Sequence, residues 1–211
     1  MTLAPVGRTA LGVLVVATLG ERALTLWHPE FPPDGTFDYD VVSPIRDTWW
    51  AFHFFGGVAL VMQSVAFIVA VCILARSRGL GWGLVGAVVY VLGTALFSAG
   101  IAGEGVAFAY ATDPAAVPEP QGTQLLEYMG QHSELYVAGV LPGLALTTVG
   151  TVALCFALLR AGTIHWTIPF VLLVGTAAQI ILSIGAVAFL ISTATVTIPM
   201  LAIGWYAARV R

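Results

Sequence analysis

Lysine is absent from this 211-residue chain, and charged residues of every kind make up only 9% of it, against roughly 25% in soluble domains. With 59% of residues hydrophobic and a mean hydropathy of +0.94, so little charge excludes a soluble enzyme and a disordered chain alike. A net charge of -3 excludes nucleic acid as a partner, because phosphate binding needs a basic surface. Cysteine is scarce as well. Cys72 and Cys155 stand alone, form neither a CxxC nor a metal-ligand spacing, and read as packing residues. The chain has no HExxH, GxSxG or Walker A segment and no arginine-rich voltage sensor, which sets aside those classes. It has no convincing internal repeat, so the inverted-repeat argument for a secondary transporter loses its main support. Neither a metal nor a cofactor is expected.

What the chain does have is long apolar runs. A bilayer core of roughly 30 Å takes about 20 helical residues, and lipid leaves no backbone group without a partner. The runs predict an all-α integral membrane bundle, one domain over 1–211, with spans at about 9–27, 47–75, 81–110, 132–159, 163–183 and 187–208. The last two share one apolar stretch more than twice a single crossing, with a turn predicted near Ser183, Ile184 and Gly185. Six spans place Arg8, Arg76, Arg78, Arg160, Arg209 and Arg211 on one side, with only Arg46 opposite. Positive charge collects in the cytoplasm, so both termini are read as cytoplasmic. Trp27, Trp49 and Trp50 then mark the outer boundary and Trp82, Trp166 and Trp205 the inner one. Arg8 alone precedes the first run and no small-residue cleavage site follows it, so the first span is read as retained.

Two loops rich in proline, about 28–46 and 111–131, are read as turn-rich lids on the outer side. All the acids fall on that side or in the outer half of a span. Asp34, Asp38 and Asp40 lack the spacing of a calcium loop and read as a solvated acidic segment.

Ionisable residues inside a span are costly enough to be functional candidates. From the helical rise, Glu21 lies roughly 20 Å above the inner boundary and Glu104 roughly 33 Å above it. His53, His132 and Glu134 fall near the same outer level as Glu104, so four helices are expected to deliver polar groups to one outward-opening pocket. Thr18, Glu21, Thr25 and His28 form a polar stripe on the first span. Arg22 is adjacent, but neighbouring helical side chains diverge, so Glu21 is expected to find a partner such as His53 or Tyr136 on another helix. Glu104 has a bland alternative, a pair with Arg46.

On the third span Gly86, Gly93, Gly100 and Ala107 repeat every seven residues, a groove for close helix approach within one bundle or between copies. The adjacent row, Tyr90, Phe97 and Glu104, sets two aromatic rings below one carboxyl group, with Phe108 a turn above. Pro142 interrupts the fourth span, and Thr193, Thr195 and Thr197 precede Pro199, where their hydroxyls can serve a carbonyl freed by the proline.

The order of features, Trp27, His28 and Pro29, then Trp49, Trp50 and His53, then Glu104 and Gly105, resembles small polytopic proteins rich in Ala, Val and Gly that are typical of actinobacteria. Among compact proteins of that kind are the bacterial integral-membrane terpene cyclases of meroterpenoid and indole sesquiterpenoid biosynthesis. That resemblance implies protonation of an alkene or epoxide on a lipophilic prenylated substrate, taken from the surrounding membrane lipid. Such chemistry needs a neutral carboxylic acid, a dry cavity and aromatic faces for a carbocation. Glu104 is the expected proton donor and Glu21 the alternative acid. His53 and Tyr136 would position them, with Trp49, Tyr90, Phe97, Phe108, His132 and Glu134 around the substrate. The competing reading is a non-enzymatic binding or accessory protein whose outward polar pocket holds a lipid, an ion or a partner.

Overall fold

A computed structural model of the chain describes residues 3–27, 38–132, 134–181, 190–191 and 193–210, without the side chains of 135–137 and 180–181. Every described regular element is a helix. In chain order they are α1 (Ala4–Trp27), a short α2 (Tyr39–Val42) continued by a 3-10 turn (Ser43–Ile45), α3 (Arg46–Ala75), α4 (Leu80–Ala111), α5 (Glu119–Gln131), α6 (Glu134–Ala161), α7 (Thr167–Ile181), a π-helical turn (Thr193–Thr197) and α8 (Ile198–Ala208). Four segments are long and apolar enough to cross a membrane: Ala4–Trp27, Tyr39–Ala75, Leu80–Ala111 and Ala138–Ala161. Two apolar helices, Thr167–Gln179 and Thr193–Ala208, are shorter. The turn predicted at Ser183, Ile184 and Gly185 lies outside the described residues.

The glycine repeat of α4 has a partner within the same chain. A β-carbon on Gly86 would meet Leu154, one on Gly93 would meet Thr147 and Gly143, and one on Gly100 would meet Val140 and Gly139. Glycines of α6 return the contact, Gly143 against Phe97 and Gly150 against Tyr90. The pairs run in opposite directions along the two helices, so α4 and α6 are antiparallel with their backbones nearly touching. Small residues permit that approach, and dispersion forces hold helices together where lipid leaves no hydrophobic drive between them.

The main apolar core lies toward one end of this bundle, with Leu14, Phe67, Val71, Leu74, Leu154, Leu158 and Ile203 fully enclosed. At that end Gly7 abuts Ala207, Gly79 abuts Ala157, and the Arg160 guanidinium donates to the Arg78 carbonyl at 3.2 Å. Arg8, Arg76, Arg78, Arg160 and Arg209 therefore gather at one end, with Arg209 stacked over Trp205 at 4.2 Å. Arg211 lies outside the described residues.

The opposite end carries a smaller core of Tyr39, Val42, Trp49, Phe108, Ala111 and Leu126. Here the structure corrects a sequence expectation, because most of the segment read as a loop at 111–131 is the helix α5. Glu119 and Pro120 occupy its first turn, where an acid suits the helix dipole and proline lacks nothing it needs. Leu125, Leu126 and Met129 then follow at helical spacing. Gly122 meets the Ala111 carbonyl and the Tyr39 ring, which seats α5 on the ends of α4 and α2.

Candidate functional site

Among the described residues, three polar assemblies between the helices bear on function. The first is within the bundle. The Thr18 hydroxyl accepts from Gln63 Nε2 at 3.1 Å, and the same amide lies 3.9 Å from Met200 Sδ, which joins α1, α3 and α8. Three residues along α1, Glu21 Oε2 sits 3.2 Å from Arg22 Nε, the two side chains being 16% and 15% exposed. The single proton on that nitrogen goes to Thr197 Oγ1 at 3.1 Å, so the acid holds Arg22 by charge at Oε2. Its other oxygen, Oε1, lies 3.1 Å from the Thr25 hydroxyl, whose one proton is shared with the Glu21 carbonyl at 2.9 Å. This overturns the expectation that the two neighbours diverge. Consecutive helical residues point roughly 100° apart, but the Arg22 stem is long enough to curl back. The π-turn supplies Thr197, and such turns recur at functional positions.

The hydroxyls before Pro199 behave differently from expectation in detail. Thr195 donates to the Ile191 carbonyl at 2.6 Å, whereas Thr197 serves Arg22. On the far side of α3, Ser64 donates to the Leu60 carbonyl at 2.7 Å and lies 3.0 Å from Thr94 Oγ1, which itself donates to the Tyr90 carbonyl at 2.9 Å.

The second assembly lies toward the end opposite the arginines, between α3 and α4. His53 is 5% exposed. Its Nδ1 is 2.8 Å from the Trp49 carbonyl, and a carbonyl only accepts, so Nδ1 carries the proton. The ring lies 4.7 Å from that of Trp49 and 4.9 Å from that of Phe52. Trp49 in turn stacks on Phe108 at 5.7 Å. Gly105 makes room for the histidine, since a β-carbon there would meet His53 Cβ. Trp49, His53 and Phe108 thus meet, and Glu104 directly precedes the Gly105 that admits the histidine. Glu104 is half-buried, and among the described residues it makes no hydrogen bond or ion pair.

Other expected members lie elsewhere. Tyr90 packs on Phe67 at 5.8 Å, farther down α4. Phe97 is half-buried against the Gly143 backbone of α6. His132 and Glu134 pair with each other at 3.0 Å and are largely exposed, while the His132 ring lies 4.3 Å from that of Tyr128. The Glu134 carboxyl is held below the usual carboxylate range by its own backbone N–H and then by His132. Tyr136 lies on α6, its side chain outside the described residues.

The third assembly was not legible in the sequence. Arg46 does not reach Glu104. Its Nη1 donates to the Thr112 carbonyl at 3.2 Å and to Asp113 Oδ1 at 3.3 Å, and the Tyr39 hydroxyl donates to the same carbonyl at 3.4 Å. These bonds clamp α2 and the start of α3 onto the end of α4. Beside the clamp, between α2 and α5, a cavity of about 580 Å³ is lined by Asp38, Asp40, Glu119 and Glu127 together with Tyr39, Thr123 and Gln131. Among the described residues, no basic side chain lines it. Among the described residues, no three His, Cys, Asp or Glu side chains converge as metal ligands would.

Fold and sites together define an all-helical chain with four helices fit to span a membrane and an acidic recess at one end. Comparison with known protein families, with curated proteins and with solved structures returns no match for this chain.

Proposed function

We propose that the protein is a six-span membrane protein, with both termini cytoplasmic in a bacterial cytoplasmic membrane, that binds a small organic cation on its outer face. The gathering of arginines at one end supports that orientation. The observation that carries the function is the recess between α2 and α5. At about 580 Å³ it falls within the roughly 300–1,000 Å³ range of small-molecule pockets. No three of its four carboxylates converge as they would on a single ion, which suits a molecule with separated positive charges better. A pocket of one charge sign also concentrates the opposite charge from solution.

Spermidine is the probe. Isothermal titration into nanodiscs holding the protein should show saturable binding that weakens as salt rises. The double variant Asp40→Asn with Glu127→Gln should bind about tenfold more weakly, each lost contact contributing roughly 0.5–1 kcal/mol. Equal binding by wild type and variant, or none by either, overturns the reading.

Acid-initiated cyclisation of a prenylated substrate is the second reading, favoured by Glu104, a half-buried acid within a membrane-spanning helix that makes no hydrogen bond or ion pair among the described residues and directly precedes Gly105, which packs on His53. Membranes bearing the wild type or Glu104→Gln, supplied with farnesylated aromatic and epoxidised prenyl substrates, are compared by LC-MS. A product of unchanged mass and altered retention formed by the wild type alone supports it. Conversion by both proteins moves the proton donor to Glu21, and conversion by neither sinks it for those substrates.

A further inference from the structure

A second, smaller cavity of about 90 Å³ opens among α3, α4, α6, α7 and α8, apart from the acidic recess, with Leu144 and Gln179 of its lining exposed. One wall is a row of hydroxyls. Thr147, Thr148 and Thr151 of α6 and Thr176 of α7 line it, and each gives its proton away along its own helix. The acceptors are the carbonyls of Gly143, Leu144, Thr147 and Leu172, at 2.8, 2.9, 2.8 and 2.8 Å. A hydroxyl that donates backward has only oxygen lone pairs left to offer. The wall therefore accepts hydrogen bonds from whatever occupies the space. The rest of the lining is mostly apolar and includes Phe67, Leu172 and Met200.

The charge of an occupant follows from the lining, which among the described residues includes Tyr90 and Gln179 but no carboxylate and no basic side chain. An ion held there would have no counter-charge in that lining, at a cost that membrane interiors tolerate poorly. Water alone would satisfy the threonines yet waste the apolar lining, since ordered water needs two to four polar partners. The volume is room for about three waters, at roughly 30 Å³ each.

We infer that this cavity is a binding site for a short-chain alcohol, a neutral molecule whose hydroxyl donates to the threonine oxygens of α6 and α7 while its alkyl end lies against Phe67 and Met200. Nothing in this inference depends on the acidic recess.

The test uses 1-propanol and the full-length protein in nanodiscs of deuterated lipid. Saturation-transfer NMR is expected to show a saturable signal above that of empty nanodiscs. Thr176→Leu, which fills the cavity, and Thr151→Val, which keeps the shape and removes one acceptor, should each cut the signal at least fivefold. The recess variant Asp40→Asn with Glu127→Gln should leave it unchanged. Size-exclusion profiles check that the variants are folded, and Thr151→Val carries the test if the larger replacement does not fold. Equal signals from wild type and Thr151→Val overturn the proposal, because the alcohol is then partitioning elsewhere. No signal above empty nanodiscs also overturns it and leaves the cavity to water.

Discussion

Gly93→Ala is expected to lower the stability of the protein by about 2–3 kcal/mol, the range for forcing extra volume into a packed interior. The new methyl would lie 2.6 Å from Thr147 Oγ1 and 2.8 Å from the Gly143 carbonyl oxygen. The neighbour is mostly backbone, so no rotamer change relieves it. Gly103→Ala is the matched control, on the same helix with nothing within 4 Å of the added carbon, and should stay within roughly 0.5 kcal/mol of wild type. Gly143→Ala should also be costly, because its β-carbon would lie 2.8 Å from the Gly93 carbonyl oxygen. The two alanines together should cost less than their sum, since once one has pushed α4 and α6 apart the second finds space. Detergent-induced unfolding followed by circular dichroism reads all four proteins. If Gly93→Ala instead leaves stability untouched but changes the oligomeric mass, the groove serves contact between copies.

That groove was legible in the sequence on the α4 side only. A seven-residue repeat of small side chains is visible without a structure, but the complementary Gly139, Gly143 and Gly150 of α6 have uneven spacing and are hidden beside Pro142. The apolar runs likewise gave the long helices, because lipid imposes helix on any chain that crosses it. Helix α5 was missed because its proline-rich start resembles a loop and its apolar face is only Leu125, Leu126 and Met129 wide. The candidate sites were less legible than the fold. Trp49, His53 and Phe108 do meet, since two of them share a helix and Gly105 marks where that helix can be approached. His132 and Glu134 pair with each other locally. Depth along a helix is calculable from the rise per residue, whereas the direction in which a side chain points depends on which neighbour its helix meets. The threonine-lined cavity needed that second kind of information entirely.

The second large effect is expected at the pair on α1. Arg22→Met should destabilise the protein by roughly 3 kcal/mol, the low end for removing one partner of a buried ion pair, since both side chains keep about 15% of their exposure. Glu21 would retain only the Thr25 hydroxyl at Oε1, with nothing to offset the charge at Oε2. Adding Glu21→Gln to Arg22→Met removes that charge and should restore most of the loss, as neutral replacements of buried pairs commonly do. Thr197→Val is a separate probe. It removes the acceptor of the Arg22 Nε proton and should cost about 1–3 kcal/mol for a hydrogen bond to a charged group, while leaving the 3.2 Å approach of acid and guanidinium in place. The same unfolding measurement distinguishes two accounts of this centre. If the double variant recovers, Glu21 and Arg22 act as a unit and the arginine is there to neutralise an acid within the bundle. If the double variant stays as unstable as Arg22→Met and Thr197→Val matches it, the arginine acts through the π-turn, bracing α8 against α1, and Glu21 follows it into the bundle as the counter-charge.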